Sequence, residues 1–540
     1  FPYTTLFRSN MQYNSWLYLF PFLGGSIILY YLIPVKRRWI GLLFSSLLFY
    51  ILAMKNLVAV VLFTTATIYL GARTIEEFNE QFKLKKKELD RAARKELKSK
   101  ITKKNRYVIA LLCVINFGIL FITKYFNFFG ENINALFHAL HISAQIPFLD
   151  IFLPLGISFY TLSAISYITD VARGVCKAEK NYFRLLLFLI FFPIITEGPI
   201  SRYGQLGEEL KAEHHFDYKQ FCFGAQLIVW GLFQKVLLSD RVNMYVRAIF
   251  ANHEKYSGFP VIMAILLYTF QLYMDFAGCI NIARGSAQLF GITLEENFKR
   301  PFFATSVNEF WRRWHITLGA WFKDYIFYPI SLGTHFQKFS QNCRKHMNRY
   351  YAATIPGIFA LFAVWFGNGI WHGAEWKYII YGLYYYVIMV LGMLLEPAFV
   401  SFCSKLNIDR NASWYHTMQV VRTFILVNIG MLIFRSKDIK TAITMLGSVF
   451  QPWHGKSNFW QLAFNRGGLF KLDFLLIAFS VILLYFIGKK QENGHSIREL
   501  ILAQPLPIRW AIYIIPIVLI IIAGAYGPGW GVADFIYAKF

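Results

Sequence analysis

The sequence predicts an all-α, polytopic membrane protein with about 11–14 transmembrane or re-entrant helices. Three observations carry that expectation. Of 540 residues, 56% are hydrophobic and 16% are charged, against roughly 25% charged residues in an ordinary soluble domain. Apolar runs approaching the roughly 20 residues that cross a bilayer recur along the chain. Basic residues gather between those runs, as they do in cytoplasmic loops.

Taken in order, the apolar runs fall at 15–34, 39–53, 56–71, 107–124, 151–169, 183–200, 220–238, 258–280, 352–371, 377–397, 419–434, 470–488 and 508–527. Several are short or interrupted by Pro and Gly, which suits re-entrant segments. Lys36, Arg37 and Arg38 follow the first run and are expected on the cytoplasmic side. Two short spans then return the chain to that side. There the segment 73–106, with KLKKKELDRAARKELKSKITKKNR, reads as a solvated helical hairpin continuing its spans. DVARGVCKAEK and HFQKFSQNCRKHMNR (335–349) are likewise expected inside, so the run 352–371 heads outward. The parity of 183–300 is not fixed by charge. No internal repeat or Gly/Ser linker divides the chain, and 11–540 is read as one transmembrane domain. FPYTTLFRSN, residues 1–10, is set aside: YTTLFRS matches one frame of a common sequencing-adapter oligonucleotide, and Met11 is read as the native start.

The formal net charge is +25. Its placement in loops indicates anionic lipid headgroups rather than nucleic acid. Cys113, Cys176, Cys222, Cys279, Cys343 and Cys403 are scattered without a CxxC, so neither a disulfide framework nor a metal site is indicated. No Walker loop, HExxH or GxSxG occurs, which leaves a nucleotide-driven pump and a common serine hydrolase unsupported.

Of the twelve histidines, two stand apart from the loops. His315 lies in NEFWRRWHITLGAWFKDY. Read as a helix capped by Asn308, this segment puts Trp311, Trp314, Leu318, Trp321 and Tyr325 on one stripe, with His315 one step off it beside Arg312. An amphipathic helix at headgroup level is an equally good account of that pattern. His372 ends an apolar run in WFGNGIWHGAEW, where Gly367, Gly369 and Gly373 permit close backbone approach and Glu375 could orient the ring if the helix continues. A polar group at such depth is a functional candidate, because histidine exchanges a proton near neutral pH. Asp275, in FQLYMDFAG, needs a donor, and an arginine of 312–313 is the expected partner. Asp324 is read similarly, as a structural partner of nearby cations.

FWRRWH, FKDYIFYPISLG and NGIWHGAEW, in that order, resemble the membrane-bound O-acyltransferase superfamily, in particular its alginate O-acetyltransferase-like branch. LPLGISFYTLSAISYITDVARG (153–174), FFPIITEGPISRY (191–203), FQLYMDFAGCINIARG (270–285) and the ending ADFIYAKF extend the resemblance over most of the chain from Met11. The chain departs from that pattern at Glu197, where a small residue is common, and at Asn281, where an aspartate is common; Cys279 fits a Gram-positive-type subgroup. The related D-alanyl-lipoteichoic acid branch shares the two-histidine plan.

The resemblance implies helices around a central funnel or tunnel, a catalytic histidine at His372 and a second functional histidine at His315. Trp311, Arg312, Arg313, Trp314, Asp324, Tyr325, Asn368, Trp371 and Asp275 are the candidates for donor binding or tunnel lining. No bound cofactor or metal is expected. The co-substrate would be an acyl thioester, acyl-CoA or an acyl carrier protein. The acceptor would be a cell-surface polysaccharide or a teichoic acid, reached directly or through an extracytoplasmic esterase-like partner transferase. D-alanyl transfer to lipoteichoic acid, a transporter or flippase of surface-polymer precursors, and a non-catalytic scaffold are the competing readings. The expected location is the plasma membrane of a bacterium.

Overall fold

The computed structural model describes residues 11–54, 57–453 and 471–525. Residues 1–10 and the ADFIYAKF ending fall outside them. The described residues are mostly helical, and the one β-type pairing among them is an isolated antiparallel bridge between Phe298 and Trp314. Among the described residues, ten helices are long and apolar enough to cross a membrane: Val35–Met54, Val58–Lys85, Arg91–Ala139, Tyr218–Ala251, Phe259–Gln288, Arg349–His372, Trp376–Lys405, Ser413–Arg435, Lys471–Glu492 and Leu506–Ala523.

Three of the expected spans are shorter helices: Tyr18–Leu32, Ile157–Arg173 and Tyr182–Ile190. Proline explains two of them. Pro154 and Gly156 delay the start of the Ile157–Arg173 helix, and the chain after Ile190 runs through Pro193 and Pro199 without a helix. Proline has no N–H to give and clashes with the preceding turn.

The chain forms two compact units, interleaved in sequence. The first runs to Ile228 and adds Ile282–Glu295. Its centre is the Ile157–Arg173 helix, with nearly every side chain buried. Gly156, in the left-handed region at φ 67°, comes so close to the Ile195 carbonyl that a Cβ would overlap it. The basic stretch forms the expected hairpin. Val58–Lys85 and Arg91–Leu120 pack on each other, and Asp90 caps the second helix by accepting the Ala93 N–H at 2.7 Å.

The second unit comprises Val229–Asn281 and the chain from Glu296 onward. Two of its helices, Arg349–His372 and Trp376–Lys405, meet backbone to backbone. A Cβ on Gly382 would overlap the Trp365 carbonyl oxygen, and one on Gly369 would sit 2.6 Å from the Tyr378 carbonyl oxygen. Small residues at a crossing allow that approach. The basic segment 335–349 is largely the Thr334–His346 helix, and Asn348 caps the helix that follows by accepting the Tyr351 N–H at 3.0 Å.

Candidate active site

The segment around His315 is not one continuous helix. Ser306, rather than Asn308, caps its start, its hydroxyl accepting the Glu309 N–H at 3.1 Å. Val307–Arg313 then ends, and Ile316–Phe322 begins in a new direction. Between them His315 adopts the left-handed conformation, φ 47° and ψ 51°, uncommon for a residue with a Cβ. The preceding strand-like segment pins it there. The Lys299 N–H donates to the Arg313 carbonyl at 2.9 Å and the Ile316 N–H to the Asn297 carbonyl at 3.1 Å. The Asn297 side-chain oxygen accepts from both the N–H and the hydroxyl of Thr317, at 3.0 and 2.7 Å. The break turns the imidazole inward: His315 is 3% exposed, with its ring edge-on to Phe276 at 4.8 Å and to Trp371 at 5.9 Å. Burial pushes this imidazole down to about 3, so it is neutral at pH 7.

His372 is the last residue of its helix and is 2% exposed. The helix stops at Gly373, so Glu375 is not carried round onto the His372 face; it pairs with Lys377 at 3.0 Å. Trp371 lies against His372 at 5.2 Å, and Tyr381 and Phe434 meet the His372 ring edge-on at 5.7 and 5.3 Å.

A cavity of about 60 Å³ joins the two histidines. Its walls are Trp311, Trp314, His315, Leu318, Gly319 and Phe322 from one segment and Val364, Trp365, Asn368 and His372 from the other. A single water needs roughly 10–15 Å³ measured this way, so there is room for a few waters or a small acyl group. No carboxylate is among those wall residues.

Of the residues singled out in the sequence, Trp311, Trp314, His315, Asn368 and His372 meet at this cavity, and Trp371 lies between the two imidazoles. The others do not line it. Arg312 is exposed. Arg313 is taken up by ion pairs with Glu309 at 2.7 Å and Glu492 at 2.6 Å. Asp324 and Tyr325 sit in a π-helical turn, Lys323–Phe327, with Tyr325 against Trp321. The cation beside Asp275 is Lys235 at 2.7 Å, where the sequence suggested an arginine of 312–313. Lys235 also reaches Asp240 at 2.8 Å, and all three side chains are nearly or fully buried.

Sequence reasoning missed that cluster, although Gln234 and Lys235 interrupt an apolar run just as Asp275 does. It also missed Asn297, for which no local signal exists. The two departures from the family pattern lie elsewhere: Glu197 is buried in the first unit, and Asn281 donates to Gln234 at 2.8 Å.

These features define a many-spanned helical membrane protein with a small, mostly apolar cavity walled by two buried histidines. The model of the MBOAT, membrane-bound O-acyltransferase, family matches residues 177–342. The probable alginate O-acetylase AlgI of Pseudomonas putida is 30% identical, over 88% of this chain and 87% of its own. The teichoic acid D-alanyltransferase of Bacillus subtilis is 32% identical over 52% of this chain and 69% of its own. The peptidoglycan O-acetyltransferase of Helicobacter pylori is 27% identical over 63% of this chain and 64% of its own. The chain belongs to the membrane-bound O-acyltransferase family. It is thus an O-acyltransferase and a multi-pass protein of the bacterial plasma membrane.

Proposed function

We propose that the protein transfers an acetyl group from a cytoplasmic thioester to hydroxyls of a cell-surface polysaccharide, with His372 as general base. The observation that carries this reading is the meeting of His315 and His372 at one small cavity otherwise lined mainly by aromatic and aliphatic groups. In the step proposed, His372 takes the proton of the acceptor hydroxyl as its oxygen attacks the thioester carbonyl. A C–O bond forms, the C–S bond breaks, and the proton held by His372 passes to the leaving thiolate. General-base assistance of this kind contributes about 10²–10⁴-fold.

His315, on the opposite segment, is neutral by virtue of its burial. A neutral imidazole carries one N–H, which in this reading polarises the thioester carbonyl. The basic loops support a cytoplasmic side for the His315 segment and an outward course for the helix that ends at His372. Thioester and polymer would then approach the cavity from opposite faces, through a passage between the helices.

Acetyl is favoured over D-alanyl on charge. The ammonium of a D-alanyl group would enter a cavity whose walls carry no carboxylate, and an unpaired buried charge is expensive. The aromatic walls supply the one observation for the second reading, because a cation gains about 0.5–2 kcal/mol over a ring face. Mass analysis of surface polymers from cells with and without the protein decides between the two, as does donor choice by the purified protein. Purified protein that acylates polymer unaided supports direct transfer; a requirement for a secreted esterase-like protein supports relay.

The test of the base is His372→Ala. We expect transfer to fall by about 10²–10⁴-fold while folded protein stays in the membrane. Undiminished acylation by that variant removes His372 from the chemistry.

A further inference from the structure

Two buried polar atoms on the cavity's lining residues have no hydrogen-bond partner among the described residues and no part in the step above, the donor Trp311 Nε1 and the acceptor Asn368 Oδ1; the acceptor is the one a substrate hydroxyl or amide can satisfy. Asn368 lies one helical turn before His372, lines the same cavity and is 8% exposed. Its Oδ1 is buried with no hydrogen-bond partner among the described residues. Buried side-chain oxygens are nearly always satisfied, and leaving one without a donor is costly. A leucine of similar size would face the same mostly apolar cavity without that cost. Retaining an amide here makes sense if a bound molecule supplies the missing donor.

We infer that Asn368 is a positioning residue whose Oδ1 accepts a hydrogen bond from an O–H or N–H of the substrate, next to the group that reacts at His372. The inference rests on the acyl-transfer reading of this cavity. Residues four apart on a helix have their Cβ atoms about 5–6 Å apart, so a group held by Asn368 lies within a few ångströms of one held by His372. Two sources have the required chemistry. One is a second hydroxyl neighbouring the reacting hydroxyl of a sugar. The other is the amide N–H of the pantetheine arm that carries a thioester. Either would fix the orientation of its substrate, because the surrounding aromatic and aliphatic walls hold it without direction.

The experiment compares full-length protein with Asn368→Leu and Asn368→Asp, using S-acetylpantetheine as donor and a methyl hexoside or its monodeoxy analogues as acceptor. If a neighbouring hydroxyl is the source, Asn368→Leu lowers kcat/KM for the hexoside about tenfold, the worth of one neutral hydrogen bond. Hydrolysis of the donor without acceptor is then unchanged, and the variant no longer distinguishes the hexoside from one deoxy analogue. If the donor amide is the source, hydrolysis and transfer fall together, through the KM for S-acetylpantetheine. In both cases Asn368→Asp, which keeps an acceptor oxygen in the same place, recovers part of the loss, and the melting temperature of Asn368→Leu is unchanged or higher. Wild-type kcat/KM and discrimination in Asn368→Leu overturn the inference. So does a loss accompanied by a lower melting temperature and no recovery with aspartate, which marks a packing role. His372→Ala in the same assay separates this inference from the reading beneath it: an active His372→Ala removes the cavity's role, whereas an inactive one beside a wild-type-like Asn368→Leu removes only the role of Asn368.

Discussion

The two histidine segments reach the same cavity by opposite structural means. His315 is held by polarity. A break between two short helices, a left-handed backbone and the hydrogen bonds of Asn297 and Lys299 aim its ring inward. Behind it, Phe276 packs on the imidazole, and its neighbour Asp275 is tied to Lys235. His372 is held by close packing. It ends a 24-residue apolar helix that crosses its neighbour backbone to backbone at Gly369 and Gly382, with aromatic edges around the ring. One arrangement depends on satisfying polar groups away from water, the other on the absence of side-chain volume. They should therefore fail under different perturbations.

The largest effect is expected on the polar side. Lys235→Met leaves the Asp240 and Asp275 carboxylates buried without their shared cation, and breaking a buried pair in this way costs about 3–5 kcal/mol. Thermal unfolding in detergent should show a strongly destabilised protein. Adding Asp275→Asn should recover part of the loss, because it removes one of the stranded charges. Near-wild-type stability in Lys235→Met would show that the cluster is hydrated and does not anchor the His315 side.

Next comes the packed side. Gly382→Ala places a methyl group against the Trp365 carbonyl oxygen, and the helices must part to admit it. Overpacking of this kind costs about 1–3 kcal/mol. Because Trp365 and Asn368 wall the cavity from the same helix, transfer should fall further than stability alone explains. A variant with lowered stability and an unchanged rate per folded molecule would mean that the crossing holds the bundle together without positioning His372.

Legibility from sequence follows the same division. The apolar helix ending at His372 was plain, because hydropathy and length specify a span and the glycines announce a close crossing. The tryptophan and histidine spacing of 308–325 singles out Trp311, Trp314 and His315, which meet at the cavity, but implies the wrong local shape. Periodicity predicts a helix wherever no breaker stands, and the bracket that breaks this one comes from Asn297 and Lys299, on the far side of a turn. Tertiary hydrogen bonds of that kind leave no local pattern. The partner of Asp275 was misjudged for a related reason. Lys235 is remote in sequence, and an aspartate in an apolar run shows that a cation is needed without showing which. Apolar composition outweighs the prolines, so the sequence starts one span before its helix begins at Ile157, past Pro154, and carries another through Pro193 and Pro199 beyond its helix end at Ile190.

A third test, whose effect is spread over several pH units instead of falling at one substitution, distinguishes the polar side by its response to acid. Burial holds the His315 imidazole down to about 3 in the folded protein, against an ordinary value of about 6.5 when unfolded. Between those values the unfolded chain takes up a proton that the folded chain does not. Stability is therefore fully present above about pH 6.5 and declines as the pH falls toward 3, by at most about 1.4 kcal/mol per pH unit for this one group. His315→Asn, which cannot titrate and tolerates the left-handed conformation, should flatten that part of the profile. Thermal unfolding of the two proteins between pH 7 and pH 4 measures the difference. An equal slope in both would mean that His315 takes up its proton in the folded state as readily as in the unfolded one, and the neutral carbonyl-polarising role proposed for it would not stand.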